Sequence, residues 1–207
     1  MMERRRFLKA AGTGVLAGVF SGLPLPVLAA ENDKTAAQQF VRNLGRDAIE
    51  TLAKASLGRE AAHERFRVLL NQGFDVPYIA QFVLGRYWPT ATPPQQKEYL
   101  ELFEKLIVNA YADRFRQYSG ETLEVAGSRD EGGSDLFVET QIVRPSGPPV
   151  AVAWRVRGAG KGMRIIDVVV EGVSMSATQR SEFASVIQSS GGIDGLLKAL
   201  RQKVGKG

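Results

Sequence analysis

Apolar residues recur every three or four positions from Thr35 to Ser56, at Phe40, Val41, Leu44, Ala48, Ile49 and Leu52, and this spacing predicts a long amphipathic helix. A second helical run covers Glu60 to Asn71. Asp75 offers an N-cap and Pro77 a first-turn proline, opening a short helix through Tyr78, Ile79, Phe82 and Val83 that stops at Gly85. Thr92-Pro93-Pro94-Gln95 reads as a capping box with proline in the first turn, so a longer helix is expected from there to about Tyr118. Its apolar stripe holds Tyr99, Leu102, Phe103, Leu106, Ile107, Ala110, Tyr111, Phe115 and Tyr118. Taken alone, such a stripe reads as packed core.

The period then changes from helical to alternating. Four strands are expected, Glu121–Gly127, Ser134–Arg144, Val150–Arg157 and Met163–Glu171, separated by Gly, Pro, Ser and Asp clusters. Symmetric closure of the intervening turns places Trp154 against Ile166, Val152 against Val168 and Ile142, Val150 against Val170, Val156 and Leu123 against Val138, and Val125 against Leu136. In that register all four strands turn their apolar residues to one side, whereas a slip of one residue would scatter them over both faces. The inward set is Leu123, Val125, Leu136, Val138, Ile142, Val152, Trp154, Ile166, Val168 and Val170, faced by Phe82, Tyr87, Leu106, Ile107 and Tyr111 from the helices. The outer face is polar, with Arg155 across from Glu139 and diagonal to Asp167. Ser176-Ala177-Thr178-Gln179 is a further capping box, opening a helix through Phe183, Val186 and Ile187 that Gly191-Gly192 ends. Ile193, Leu196, Leu197, Leu200 and Val204 form a last amphipathic helix. Helices, then a meander, then helices describe an α+β domain: one antiparallel four-stranded sheet with its apolar face covered by helices.

The N-terminus is of another kind. Glu3-Arg4-Arg5-Arg6-Phe7-Leu8-Lys9 fits the twin-arginine pattern, and the apolar stretch after it is broken by Gly12, Gly14, Gly18 and Ser21 and ends at Pro24 and Pro26. That stretch falls short of the roughly 20 apolar residues of a spanning helix. Residues 1–29 are therefore expected to be an export signal cleaved after Ala29, or alternatively after Ala30, leaving 30–207 as a single domain. Cleavage takes three of the five net positive charges with it, and a mildly basic remainder does not suggest nucleic acid. Without cysteine there is neither disulfide nor thiolate chemistry. The lone His63 lies among Arg59, Glu60, Glu64 and Arg65, which leaves no common zinc site, and no Gly-x-Ser-x-Gly elbow is present. Gly158-Ala159-Gly160-Lys161-Gly162 joins two strands and lacks the Gly-Lys-Ser/Thr ending of a phosphate loop, so it reads as a hairpin turn.

Two strings carry a resemblance. Leu84-Gly85-Arg86-Tyr87-Trp88 running into Thr90-Ala91-Thr92-Pro93, and Asp167 to Leu197 with its Val-Glu-Gly-Val-Ser, Arg-Ser-Glu-Phe and Gly-Gly-Ile-Asp-Gly-Leu, resemble the MlaC or toluene-tolerance family of periplasmic lipid carriers. The resemblance implies a curved sheet of the nuclear transport factor 2 kind, packed against helices with a deep apolar pocket between. The residues of such a pocket would be Phe82, Tyr87, Leu106, Ile107, Tyr111, Leu123, Val125, Val138, Ile142, Val152, Trp154, Ile166, Val168 and Val170, with the polar tips of Tyr87, Trp88 and Tyr118 near its mouth. It further implies a monomer that carries phospholipid as cargo, has no cofactor and is not an enzyme. Its partners would be an inner-membrane MCE-type ABC transporter complex and an outer-membrane lipoprotein with its porin. Three alternatives use the same residues: another cargo such as a hopanoid, a ketosteroid-isomerase-like enzyme using Asp167 as its acid, and a closed core with no pocket at all.

Overall fold

The computed structural model describes residues 25–52, 58–115, 118–130, 134–158 and 162–205, so most of the expected export signal lies outside the described residues. Helices α1 (Leu25–Leu52), α2 (Arg59–Gly73), α3 (Val76–Leu84) and α4 (Pro93–Phe115) precede strands β1 (Thr122–Asp130), β2 (Asp135–Val143), β3 (Val150–Arg157), β4 (Arg164–Val170) and β5 (Val173–Ser174). Helices α5 (Met175–Ser189) and α6 (Ile193–Val204) follow, and a 3₁₀ turn (Gly85–Thr90) links α3 to α4. The α+β order is the expected one, but the sheet has five strands, in the order β1-β2-β3-β4-β5. The extra strand arises because Glu171 and Gly172 both take positive φ, 48° and 80°, which closes a tight two-residue hairpin onto Val173-Ser174.

Local chemistry sets the helix ends. Asp75 accepts the N–H of Tyr78 at 3.0 Å and so caps α3, while Gly85 ends it at φ 57°. Thr92 and Gln95 exchange the reciprocal bonds of a capping box, Thr92 N–H to Gln95 Oε1 at 2.9 Å and Gln95 N–H to Thr92 Oγ1 at 3.4 Å. Two helix starts differ from expectation. Helix α1 begins at Leu25, not Thr35, because Pro26 is tolerated in a first turn and residues 27–34 continue the helix. The cap of α5 is Ser174, whose hydroxyl accepts the N–H of Ala177 at 3.1 Å, so Ser176 is the second helical residue.

The strand register keeps the expected face but not the expected partners. Val152 lies opposite Thr140 and Val170 in place of Ile142 and Val168; Trp154 lies opposite Val138 and Val168; Val156 lies opposite Leu136 and Ile165; and Val150 lies opposite Ile142. Leu123 meets Ile142 and Val125 meets Thr140, because β1 and β2 stay paired up to Asp130 and Leu136. The β2–β3 turn is wider than its prolines suggested: the Arg144 guanidinium donates to the Pro148 carbonyl at 2.6 and 3.1 Å and belongs to the loop, not the ladder. Irregularities at Val125/Gly127 in β1 and opposite Arg155/Val156 in β4 absorb the remaining offsets. The second one displaces Ile166. It has no partner in the ladder, and Ile165 takes the inward place across from Val156. On the outer face Arg155 is opposite Phe137, not Glu139, and pairs with Asp135 at 2.7 Å, while Glu139 pairs with Arg129 at 3.0 Å.

Two hydrophobic clusters result. One joins the inner face of the sheet to α1, through Ala37, Val41, Leu136, Val138, Val156, Met163 and Ile165. The other is helical and joins α3, α4, α5 and α6 around Tyr99, Phe103, Phe183 and Leu196. Helix α1 runs antiparallel along β1, with Lys34 bound to Asp130 at 2.8 Å, Gln38 to Ser128 at 2.9 Å, and Gly45 against Leu123. A side chain at Gly45 would meet Leu123 within 2.5 Å, and one at Gly73 would meet Leu44 within 2.6 Å, so two glycines set how closely α1 approaches β1 and α2. Helix α2 reaches α4 through Arg67 and Asn71, which both contact Glu104, at 3.3 and 3.1 Å.

Candidate functional site

Between the two clusters lies a cavity of about 1200 Å³. Its walls come from α1 (Val41, Leu44, Ala48, Ile49), α2 (Phe66, Leu69, Leu70), α3 (Val76, Ile79, Val83), α4 (Phe103, Ile107, Tyr111, Ala112) and the inner face of the sheet. A close-packed domain leaves few voids larger than a water molecule, so a hollow of this size is a built feature. One end is plugged: Val138, Val156, Met163 and Ile165 are 0–1 % exposed. Along β2 and β4 burial relaxes toward Ile142 and Val170, which are half-buried. The rim at that open end consists of Thr51 on α1, Arg65 on α2, and the segment Tyr118 to Thr122 between α4 and β1.

The structure brings Ile107, Tyr111, Leu123, Ile142, Trp154, Val168 and Val170 together on the wall. The other residues expected there lie elsewhere. Val138 and Val152 are buried in the sheet layer, and Val125 packs on the α1 cluster beyond the cavity. Leu106 and Phe82 belong to the helical core, because the face of α4 that meets α6 is one step round from Ile107 and Tyr111. Tyr87 is drawn to the surface by Arg86 and Gln188, whose side chains approach its hydroxyl at 2.9 and 3.5 Å and hold its pKa below the usual phenol range. Trp88 stacks toward Tyr99 with ring centres 6.4 Å apart, away from the mouth, whereas Tyr118 does line it. Ile166 is lost to the bulge in β4.

The wall residues of α1 and α2 escaped the sequence reading. Their apolar faces were visible, but nothing in the spacing tells which helix covers the sheet. The half-buried state of so many large side chains, Leu44, Ile49, Phe66, Leu69, Ile79, Ile107, Leu123 and Trp154 among them, comes from the hollow beside them.

Polar groups on the wall gather at the rim and near α5, and Thr140 lies buried in the sheet behind Trp154. Thr140, 3 % exposed, donates to the Val152 carbonyl at 2.8 Å and accepts the indole N–H of Trp154 at 2.9 Å, which orients that ring along the wall. Asp167 sits on the outer side of the ladder opposite Arg155 yet borders the cavity near α5. Its carboxylate accepts the Ser174 hydroxyl at 2.6 Å, the Ser176 N–H at 3.1 Å and the Val168 N–H at 2.8 Å, so it fastens the start of α5 to β4. Those bonds occupy the oxygens that a catalytic acid would turn toward a substrate. Glu121 at the rim accepts the N–H and hydroxyl of Ser119 at 2.8 and 3.1 Å, and the first of these bonds holds its pKa below the usual carboxylate range. Among the described residues no group of three metal-ligating side chains exists, and no helix is long and apolar enough to cross a membrane.

The family described as MlaC protein matches residues 42–202, which takes in every residue of the cavity wall but Val41. This chain belongs to the MlaC family. Among its relatives, the toluene tolerance protein Ttg2D of Pseudomonas putida is 20% identical over 174 residues, covering 84% of this chain and 81% of that one. The intermembrane phospholipid transport system binding protein MlaC of Haemophilus influenzae is 23% identical over 132 residues, covering 62% of this chain and 61% of its own length. A solved structure from Ralstonia solanacearum, a phospholipid-binding protein in complex with a phospholipid, superposes with a TM-score of 0.72 at 25% identity, covering 82% of this chain and 97% of that one. The MlaC fold seen here is therefore shared with a protein crystallised around a lipid.

Proposed function

We propose that this MlaC-family protein is a periplasmic phospholipid carrier: it shelters both acyl tails in the cavity and moves the lipid between outer- and inner-membrane complexes, keeping the outer membrane asymmetric. The observation that carries this reading is the apolar hollow of about 1200 Å³ in a fold shared with a lipid-bound relative. Its volume exceeds the roughly 300–1,000 Å³ of ordinary small-molecule pockets. A two-tailed lipid exposes on the order of 30 methylenes, and at about 0.8 kcal/mol each their hydration costs roughly 25 kcal/mol, so crossing water unaided is negligible. A carrier needs a largely apolar wall and a polar rim; the half-buried acid of this wall, Asp167, has its oxygens bound by Ser174, Ser176 and Val168.

In this proposal the twin-arginine segment exports the chain and is removed, and the carrier works as a monomer. An inner-membrane MCE-type ABC transporter complex and an outer-membrane lipoprotein with its porin exchange lipid with it. The test is a lipid-retention assay on Val168→Asp, which puts a charge on the wall, beside Glu139→Gln on the solvent face. Val168→Asp is expected to lose bound phospholipid at least tenfold, with Glu139→Gln retaining it; equal retention by both variants contradicts the assignment.

A further inference from the structure

We propose that Arg65 is the headgroup contact of this protein, receiving the phosphodiester of the lipid whose tails fill the cavity; the proposal rests on the carrier reading and adds the charge it selects. Arg65 is the cationic residue of the cavity wall among the described residues, and the acidic residues there are Glu121 and Asp167. It stands on α2, exposed, and lines the cavity together with Thr51 and residues 118–122. The plugged end is formed by Val138, Val156, Met163 and Ile165, so tails that enter fully leave the glycerol and phosphate at the level of Arg65.

The surrounding charges leave Arg65 available. Glu64 and Glu104 both go to Arg67, at 2.8 and 3.3 Å, and Glu121 is held by Ser119. Among the described residues no carboxylate pairs with Arg65. A guanidinium that is exposed and pairs with no carboxylate among the described residues meets the requirement for an anion site: it is weakly hydrated and its planar donors match two phosphate oxygens at once. A second feature points the same way. Asp167, the other acid on the wall, lies at the α5 side and is bound by Ser174 and Ser176, so it does not compete for Arg65.

The experiment is competitive uptake from dodecyl maltoside micelles containing equal dioleoylphosphatidylethanolamine and dioleoylglycerol, which share tails and differ in the phosphate headgroup, read by native mass spectrometry. The wild type is expected to prefer the phospholipid about tenfold, the effect of one charge-assisted hydrogen bond at a partly exposed site. Arg65→Gln removes that preference by lowering phospholipid uptake while dioleoylglycerol uptake stays the same, and Arg67→Gln, on the same helix but paired with two glutamates, keeps it. An Arg65→Gln protein that still prefers the phospholipid as the wild type does overturns the headgroup role and leaves the carrier standing. A wild type that takes up neither lipid overturns the carrier and this contact together.

Discussion

Asp135 shows how one residue holds the outer face of the sheet. It is 5 % exposed and accepts from Arg155 at 2.9 Å and from Arg157 at 2.7 and 2.9 Å, while the Arg157 guanidinium also lies 4.6 Å from the centre of the Tyr78 ring. The Arg157 hydrogen bonds first, and those of Arg155 after them, hold the Asp135 carboxyl below its usual range. A carboxyl with a depressed folded pKa stabilises the protein above its unfolded value, and that stabilisation is lost as pH falls through the folded pKa, below about pH 4. Asp135→Asn is therefore expected to cost about 2 kcal/mol in urea unfolding at pH 7, the worth of charged hydrogen bonds at a site whose arginines are partly exposed. The deficit should shrink at pH 3, and an equal deficit at both values contradicts the ion-pair account. None of this was readable from spacing, because pairing Arg155 with Glu139 was the natural result of a turn assumed one step tighter than it is.

At the scale of elements, the strings that carry the family resemblance turn out to meet. Gly85 ends α3 at φ 57°, ψ −127°, a conformation that side chains avoid, and a Cβ there would lie 2.8 Å from Nε of Arg180. Arg180 in turn stacks over Phe82 at 5.1 Å, and Phe183 one turn on packs edge-to-face with Tyr99 and Phe103. The second string also supplies the Glu171-Gly172 turn and the Ser174 cap, so both act mainly as joints between α3, β4 and α5. Gly85→Ala is expected to destabilise the fold by about 2 kcal/mol through backbone strain and displacement of Arg180, read as a lowered denaturation midpoint; an unchanged midpoint refutes that role. Helices, hairpins and the inward face of each strand were legible because alternation depends only on parity. Register was not. Offsets of two residues preserve parity, and bulges at Val125/Gly127 and at Ile166 leave no mark in the pattern of apolar residues.

For the molecule as a whole, the hollow itself was the least legible feature. Periodicity records which side chains turn inward and is silent on whether they touch: Val152 and Val168 carry the same signal, yet one is packed and the other faces open volume. The difference depends on how α1 and α2 cover the sheet, and Gly45 against Leu123 and Gly73 against Leu44 are where those helices come closest to their neighbours beside the cavity. The packed end, the largely apolar walls and the charged residues at the rim suit a container for lipid tails. Native mass spectrometry of the protein purified from its native host tests this most directly. One two-tailed phospholipid bound per chain is the expected result; protein that arrives empty and takes up no lipid when offered it contradicts the account.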